Sequence, residues 1–223
     1  MIAELQAVTK SYPLMETRVL NEVSLQVPPN CSIAITGPSG SGKSTLLNIL
    51  GTLDSPDSGK LILNGTQADY ADNQIISKIR NRFIGFVFQS HHLLPQLTLL
   101  ENIQLPLLPI ADSGEKQQAM ERGIALMKRI GLSEKLNSRP SQASVGECQR
   151  TALVRALVNS PKLLLADEPT GSLDSENADN LINLLLELQK EQGFSMVVVT
   201  HSMEIASKLQ IVYQLKSGTL NVI

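Results

Sequence analysis

The chain has no tryptophan, and its aromatic side chains make up only 3% of 223 residues, so a flat ligand can be stacked at very few positions. Its two cysteines, Cys31 and Cys148, exclude a disulfide framework and agree with a reducing compartment. No window of about 18 apolar residues is present, so no segment reads as a membrane-spanning helix. Charge of one sign is also missing: 19 Lys and Arg against 21 Asp and Glu leave a net −2. That near-balance argues against binding nucleic acid through a basic surface. The start, Met1-Ile2-Ala3-Glu4, lacks the basic and apolar regions of a secretion signal. What is present, 42% hydrophobic and 18% charged residues, is a globular balance, and the expectation is a soluble cytosolic protein long enough to bury a core.

Hydrophobic patterning outlines the elements. Val23-Ser24-Leu25-Gln26-Val27 alternates as a half-buried strand does, and Leu61-Ile62-Leu63 runs into Asn64-Gly65, a pair suited to a tight hairpin. Short apolar runs at residues 32–36, 84–88, 163–166 and 196–200 read as strands buried on both faces. Separated by helical patterns, they predict a parallel sheet covered on two sides. Leu181, Leu184, Leu185 and Leu188 recur at helical spacing in a helix over residues 175–192, with Ser175 placed to cap it and Gly193 to end it. Between Gln89 and Lys162 no good strand is found. There residues 115–130 put Ala119, Ile124, Met127 and Ile130 on one helical face, so this stretch reads as a helical insertion.

The chemistry concentrates in three places. Gly37-Pro38-Ser39-Gly40-Ser41-Gly42-Lys43-Ser44-Thr45 fits the phosphate-loop pattern G-x-x-x-x-G-K-[ST]. The glycines let successive N–H groups converge on an anion, and the helix that follows adds its positive end. Lys43 reaches the β- and γ-phosphates, and the Ser44 hydroxyl ligates Mg²⁺. The pattern arises by chance in about one chain of this length per hundred; its place between a buried strand and a helix lowers that further. Next, the strand Leu163-Leu164-Leu165-Ala166 delivers Asp167 and Glu168 at its C-terminal end, where open α/β sheets bind ligands. Asp167 suits the Mg²⁺ shell, and Glu168 suits a base that accepts a proton from attacking water. Finally, His201 emerges after the strand over residues 196–200 at the same edge, within reach of a γ-phosphate. His91 and His92 have no accompanying metal-ligand pattern and read as structural.

Taken together, these motifs resemble the ATP-binding cassette ATPase subunits of ABC transporters along essentially the whole chain. The discriminating segment is Ala143-Ser144-Val145-Gly146-Glu147-Cys148-Gln149-Arg150, which is similar to the family signature Leu-Ser-Gly-Gly followed by Gln or Glu. Gln89 matches the Q-loop glutamine, Ser172-Leu173-Asp174 the D-loop, His201 the switch histidine, and Tyr12 the aromatic that stacks on adenine. The resemblance implies a single domain over residues 1–223, an α/β phosphate-loop NTPase core with a mainly parallel sheet and an N-terminal antiparallel β subdomain (residues 1–89 and 159–223). The inserted α-helical subdomain would span residues 90–158.

It further implies an ATPase in which two copies pair head to tail around two ATP molecules. Each ATP would lie between the phosphate loop of one copy and Ser144, Gly146 and Glu147 of the other, with Asp174 nearby. Lys43, Gln89, Glu168 and His201 would carry catalysis, and Ser44, Gln89 and Asp167 would hold Mg²⁺. Ala143 and Val145 depart from the signature, and Val145, which adds bulk beside the incoming phosphate, predicts slower hydrolysis.

Residues 85–95 with Leu99-Leu100-Glu101-Asn102 look like the lipoprotein-releasing and macrolide-export branch, whose partner is a multi-helix membrane permease. This implies a peripheral subunit on the cytoplasmic face of the inner membrane, docking near residues 89–110 through exposed leucines, with no regulatory domain after Ile223. A soluble cassette ATPase of the cluster-assembly type fits the same size. DNA-repair and translation types do not fit, nor does a phosphate-loop kinase or GTPase: the signature, the Asp167-Glu168 pair and the absence of an Asn-Lys-x-Asp guanine motif stand against it.

Overall fold

The alternation read in residues 23–27 extends through two N-terminal strands, β1 (Ala3–Lys10) and β2 (Leu20–Val27), which pair antiparallel and turn Leu5, Val8, Leu20, Val23, Leu25 and Val27 inward. A computed structural model describes residues 1–13 and 18–223. After β2 come β3 (Ser32–Thr36) and helix α1 (Lys43–Leu50), then β4 (Ser58–Leu63) and β5 (Thr66–Gln67). The β4–β5 turn is Asn64-Gly65 as expected, with φ of 49° and 78°. These strands make a four-stranded antiparallel sheet in the order β2-β1-β4-β5.

The second sheet uses the apolar runs. It comprises β3, β6 (Ile84–Val87), β7 (Leu163–Asp167), β8 (Ser195–Val199), β9 (Ile211–Lys216) and β10 (Thr219–Val222), in the order β10-β9-β3-β8-β7-β6. Every pairing is parallel except the terminal β9–β10 hairpin. Alternate residues of each run enter different cores, which is why the runs show no polar break. Ala34, Val87, Leu164, Ala166, Met196 and Val198 face one core. Ile33, Ile35, Leu163, Leu165, Val197 and Val199 face the other, shared with α1 and the antiparallel sheet.

Helix α2 (Asn73–Phe83) precedes β6, and the sequence reading did not anticipate it. Ile76, Ile79 and Phe83 recur at helical spacing and pack on the second core, although only Ile76 is fully buried; the Asp72 cap and Arg80 and Arg82 in the last turn are further marks. Between β6 and β7 lie α3 (Leu99–Gln104), α4 (Ser113–Arg129) and α5 (Val145–Leu157), with no strand among the described residues. In α4 the buried face runs through Ala119, Gly123, Leu126 and Met127, with Ile130 just after, whereas Ile124, expected inside, is exposed. The smallest residue is inward because the helix lies against Ile103 and Val158, 3.1 Å from where a Cβ would stand.

Helix α6 (Ser175–Gln192) follows β7, and α7 (Met203–Ala206) follows β8. Gly193 ends α6 in the left-handed conformation, as read. Its cap, however, is Asp174, whose carboxylate accepts from the Asn177 N–H; Ser175 is the first helical residue.

Candidate functional site

The loop between β3 and α1 is shaped by backbone that only glycine adopts readily. Gly42 caps α1 at φ 99°, and a Cβ there would stand 2.8 Å from the Val19 carbonyl. At Gly37 (φ 150°) a side chain would collide with the Leu215 carbonyl of β9. Strand β9, absent from the sequence reading, thus forms the floor of the loop. No acidic residue occupies the first turn of α1, so its N–H groups stay available to an anion. Lys43 arches back over the loop and donates to the carbonyls of Gly37 and Pro38, both at 2.9 Å.

Beside the loop, strand order brings the acids into place. β7 lies next to β8, so Asp167 and Glu168 leave the sheet adjacent to Thr200 and His201. Burial raises the Asp167 carboxyl above its ordinary value, with neighbouring Glu168 adding to the rise; the Ser44 hydroxyl and the Lys43 charge offset part of it. Glu168 has φ 46°, an uncommon conformation for a residue with a long side chain, held by its N–H to the Val199 carbonyl at 2.9 Å. Its Oε2 lies 2.9 Å from His201 Nδ1. The imidazole is 72% exposed and the carboxylate 15%, so the ring stands between Glu168 and solvent.

Gln89 lies beyond the end of β6, with its amide packed against Gly171 and its carbonyl accepting from the Ser172 hydroxyl at 3.4 Å. A residue that sequence reasoning missed fixes this junction. Gln149, fully buried on α5, donates through Nε2 to the carbonyls of Phe88 (2.8 Å) and Pro169 (2.9 Å). It therefore ties the segment before Gln89 to the one after Glu168. Its signal was a polar residue on a helix face otherwise made of Cys148, Ala152 and Leu153. Arg155, one turn and a half further, donates to the carbonyls of His91 and His92, both at 2.7 Å. Those histidines shape a loop, and His91 Nδ1 accepts from the Leu93 N–H.

Ser144 to Gly146 open α5. Ser144 is the cap, accepting from the Glu147 N–H while the Glu147 carboxylate accepts from the Ser144 N–H at 2.7 Å. Glu147 and Asp174, both expected among the nucleotide contacts, thus serve as helix-cap groups here. Val145 is the first helical residue and 53% exposed; its φ is not in the left-handed region, so no glycine is required of the backbone there. Two clefts flank the phosphate loop: one of about 190 Å³ lined by Tyr12, Val19, Gly40 and residues 42–45, and one of about 530 Å³ lined by Arg18, Val19, residues 38–41 and residues 216–218. None of residues 143–150 lines either. The signature edge and the phosphate loop of one chain do not share a cleft.

The leucines at 93–108 divide. Leu93, Leu99 and Leu107 are buried, whereas Leu94 and Leu108 are exposed, Leu108 to 66%. Asn102, fully buried, holds the segment by donating to the Leu94 and Thr98 carbonyls and accepting from the Leu94 N–H. Behind Gln89, between β6, α2 and α5, lies a cleft of about 330 Å³ lined chiefly by Phe86, Phe88, His92, Asn81, Arg155 and Asn159.

Residues 20–171 match the sequence model of the ABC transporter family. The chain is 46% identical over 206 residues to the lipoprotein-releasing system ATP-binding protein LolD of Saccharophagus degradans, covering 92% of this chain and 90% of that one. Among solved structures it resembles the dimeric, post-hydrolysis ATP-binding cassette MJ0796 bound to ADP and phosphate, at a TM-score of 0.84 and 37% identity over 98% of this chain and 96% of that one. It also resembles cbiO1 of Clostridium perfringens, part of the ABC transporter complex cbiONQ (TM-score 0.87, 27% identity, covering 99% and 86%). Among the described residues no helix is long and apolar enough to cross a membrane.

Proposed function

Because the chain belongs to the ABC transporter family, we propose that two copies close head to tail on two ATP molecules and power a permease that releases lipoproteins from a membrane. The chain is the ATP-binding and ATP-hydrolysing subunit of such a transporter, a homodimer coupled to an integral-membrane permease. We take it as one cassette, with residues 90–158 as the helical subdomain. Its working site is the cytoplasmic face of the inner membrane, where the permease holds it.

One observation carries the head-to-tail reading: the clefts at the phosphate loop contain none of residues 143–150, so a second chain has to bring them. Ser144 and the Gly146 backbone then meet the γ-phosphate at the start of α5. The phosphate-loop N–H groups and Lys43 hold the triphosphate, and Tyr12 stacks on the base. Glu168 takes a proton from the attacking water, whose oxygen bonds to the γ-phosphorus as the bond to ADP breaks. His201 holds the Glu168 carboxylate in place and faces the γ-phosphate.

Mg²⁺ fits the donor set. The Ser44 hydroxyl and Asp167 carboxylate are neighbouring hard oxygens, and Asp167 is a half-buried carboxyl whose charge a cation would offset; the Gln89 side-chain oxygen would be the third donor. Bound there, the cation would neutralise charge developing on the phosphate oxygens.

We assign the permease to the surface near residues 89–110, where Leu94 and Leu108 are exposed and His92 and Pro106 help line the cleft with Phe86, Phe88 and Arg155. Purification from detergent-solubilised membranes tests the reading. A multi-helix permease should co-purify, and its presence should change the ATPase rate. Recovery of the chain alone, with the same rate, would favour the soluble cassette ATPase.

Val145 supplies a finer check. Its exposed side chain stands where the partner's phosphate arrives, so Val145→Gly should raise the ATPase rate of the assembled transporter severalfold. An unchanged rate would mean that the extra bulk is accommodated.

A further inference from the structure

The ring of Tyr12 borders the smaller cleft at the phosphate loop, and the groups behind it form a closed polar cluster. Tyr12 donates its hydroxyl to Asp54 Oδ2 at 2.8 Å, and the Thr45 hydroxyl also interacts with it. Lys10, buried at the end of β1, donates to Asp54 Oδ1 and to the Ser55 carbonyl, both at 2.7 Å, and lies 3.8 Å from Asp57. The same ammonium sits 5.3 Å from the centroid of the Tyr12 ring. Asp57 in turn accepts from the Ser11 N–H at 2.7 Å, one residue before the tyrosine. Burial would raise the Asp54 carboxyl, but hydrogen bonds from Lys10, Tyr12 and the Ser55 N–H bring it below its ordinary value.

A largely buried Lys–Asp pair is a weak source of stability, because desolvation offsets its attraction. Here each group of the pair acts on Tyr12, Asp54 by the hydrogen bond to its hydroxyl and Lys10 from 5.3 Å over its ring. We infer that Asp54 and Lys10 are positioning residues for the nucleotide base: they fix the tyrosine ring in advance as a wall of the cleft. The inference rests on the reading of Tyr12 as the base-stacking residue. Ordering an aromatic side chain before the ligand arrives removes a cost that binding would otherwise bear, so its loss should weaken affinity by about two- to tenfold without touching the chemistry.

Four variants of the full chain, assayed with its permease for KM and kcat and by fluorescent-ATP titration, test this. Tyr12→Ala should raise KM most. Asp54→Asn and Tyr12→Phe should each raise KM by about two- to tenfold, with kcat at saturating ATP retained. Because Asp54 acts through the tyrosine, the double variant Tyr12→Ala with Asp54→Asn should bind no worse than Tyr12→Ala alone. If Tyr12→Ala leaves KM unchanged, the base-stacking reading fails and the inference with it. If Tyr12→Ala raises KM but Asp54→Asn does not, or if the two effects multiply in the double variant, the positioning role alone is overturned. Should Asp54→Asn fail to fold, an unchanged KM in Tyr12→Phe decides against the inference, and a raised KM at the parental kcat decides for it.

Discussion

A Glu168→Gln chain should bind ATP, scarcely hydrolyse it and accumulate as a nucleotide-filled pair. Gln has nearly the same size and shape, so it can keep the left-handed backbone at φ 46° and the N–H bond to Val199, neither of which involves the carboxylate. What it removes is the ability to accept a proton from water. A positioned general base contributes about 10²–10⁴-fold, and turnover should fall by that factor. Binding should persist, because the groups proposed to hold the triphosphate, Lys43 and the loop N–H groups, are separate from Glu168. Size-exclusion chromatography with Mg²⁺ and ATP should show a dimer peak that the parent, which empties its sites by hydrolysis, does not sustain. A parental turnover rate would remove Glu168 from the role of base. A monomer at every concentration would remove the closed pair.

Lys43→Ala should fail at the earlier step. The ammonium donates to the Gly37 and Pro38 carbonyls and is largely buried, so its charge is poorly screened and points into the loop. A hydrogen bond to a charged group contributes about 1.5–3 kcal/mol, so losing even one to a phosphate oxygen weakens binding by roughly ten- to over a hundredfold. The loop also loses the tether across its own mouth. ATP should therefore no longer raise the melting temperature of the variant, and hydrolysis should vanish with binding. An ATP-dependent melting shift equal to the parent's would count against this role. The two variants separate cleanly: one retains ligand without turnover, the other loses both.

Local patterns carried much of the fold. The runs at residues 32–36, 163–166 and 196–200 identified buried parallel strands because both faces of that sheet are covered, which leaves polar residues only at the ends of the runs, at Ser32, Thr36 and Thr200. Elements with mixed surroundings were harder to see. Helix α2 buries a single residue fully, and β9 and β10 form a hairpin at the sheet edge whose residues are all exposed or half-buried except Leu215. Its turn at Ser217-Gly218, both at positive φ, was the available sign. Ile124 and Gly123 exchanged places in the helical lobe because closeness of packing, not hydrophobicity, decided which side faced Ile103. Cap positions slipped by one residue at α6, where Asp174 and Ser175 are both competent and only backbone geometry chooses between them.

The phosphate loop and the acids at a strand end are each short segments whose residue types and spacing point to their chemistry, and the signature is a short segment whose role the family resemblance implies. Sequence alone determined these. It put Glu168 and His201 at one sheet edge without their direct contact, and it could not bring together other groups far apart along the chain: Tyr12 with Asp54, 42 residues on; Gln149 with the carbonyls of Phe88 and Pro169; Gly37 with Leu215. Those meetings depend on which strands become neighbours. Pairing of β7 with β8 and of β3 with β9 is set by the competition of whole faces for two shared cores, an energy summed over the tertiary structure and encoded in no single segment.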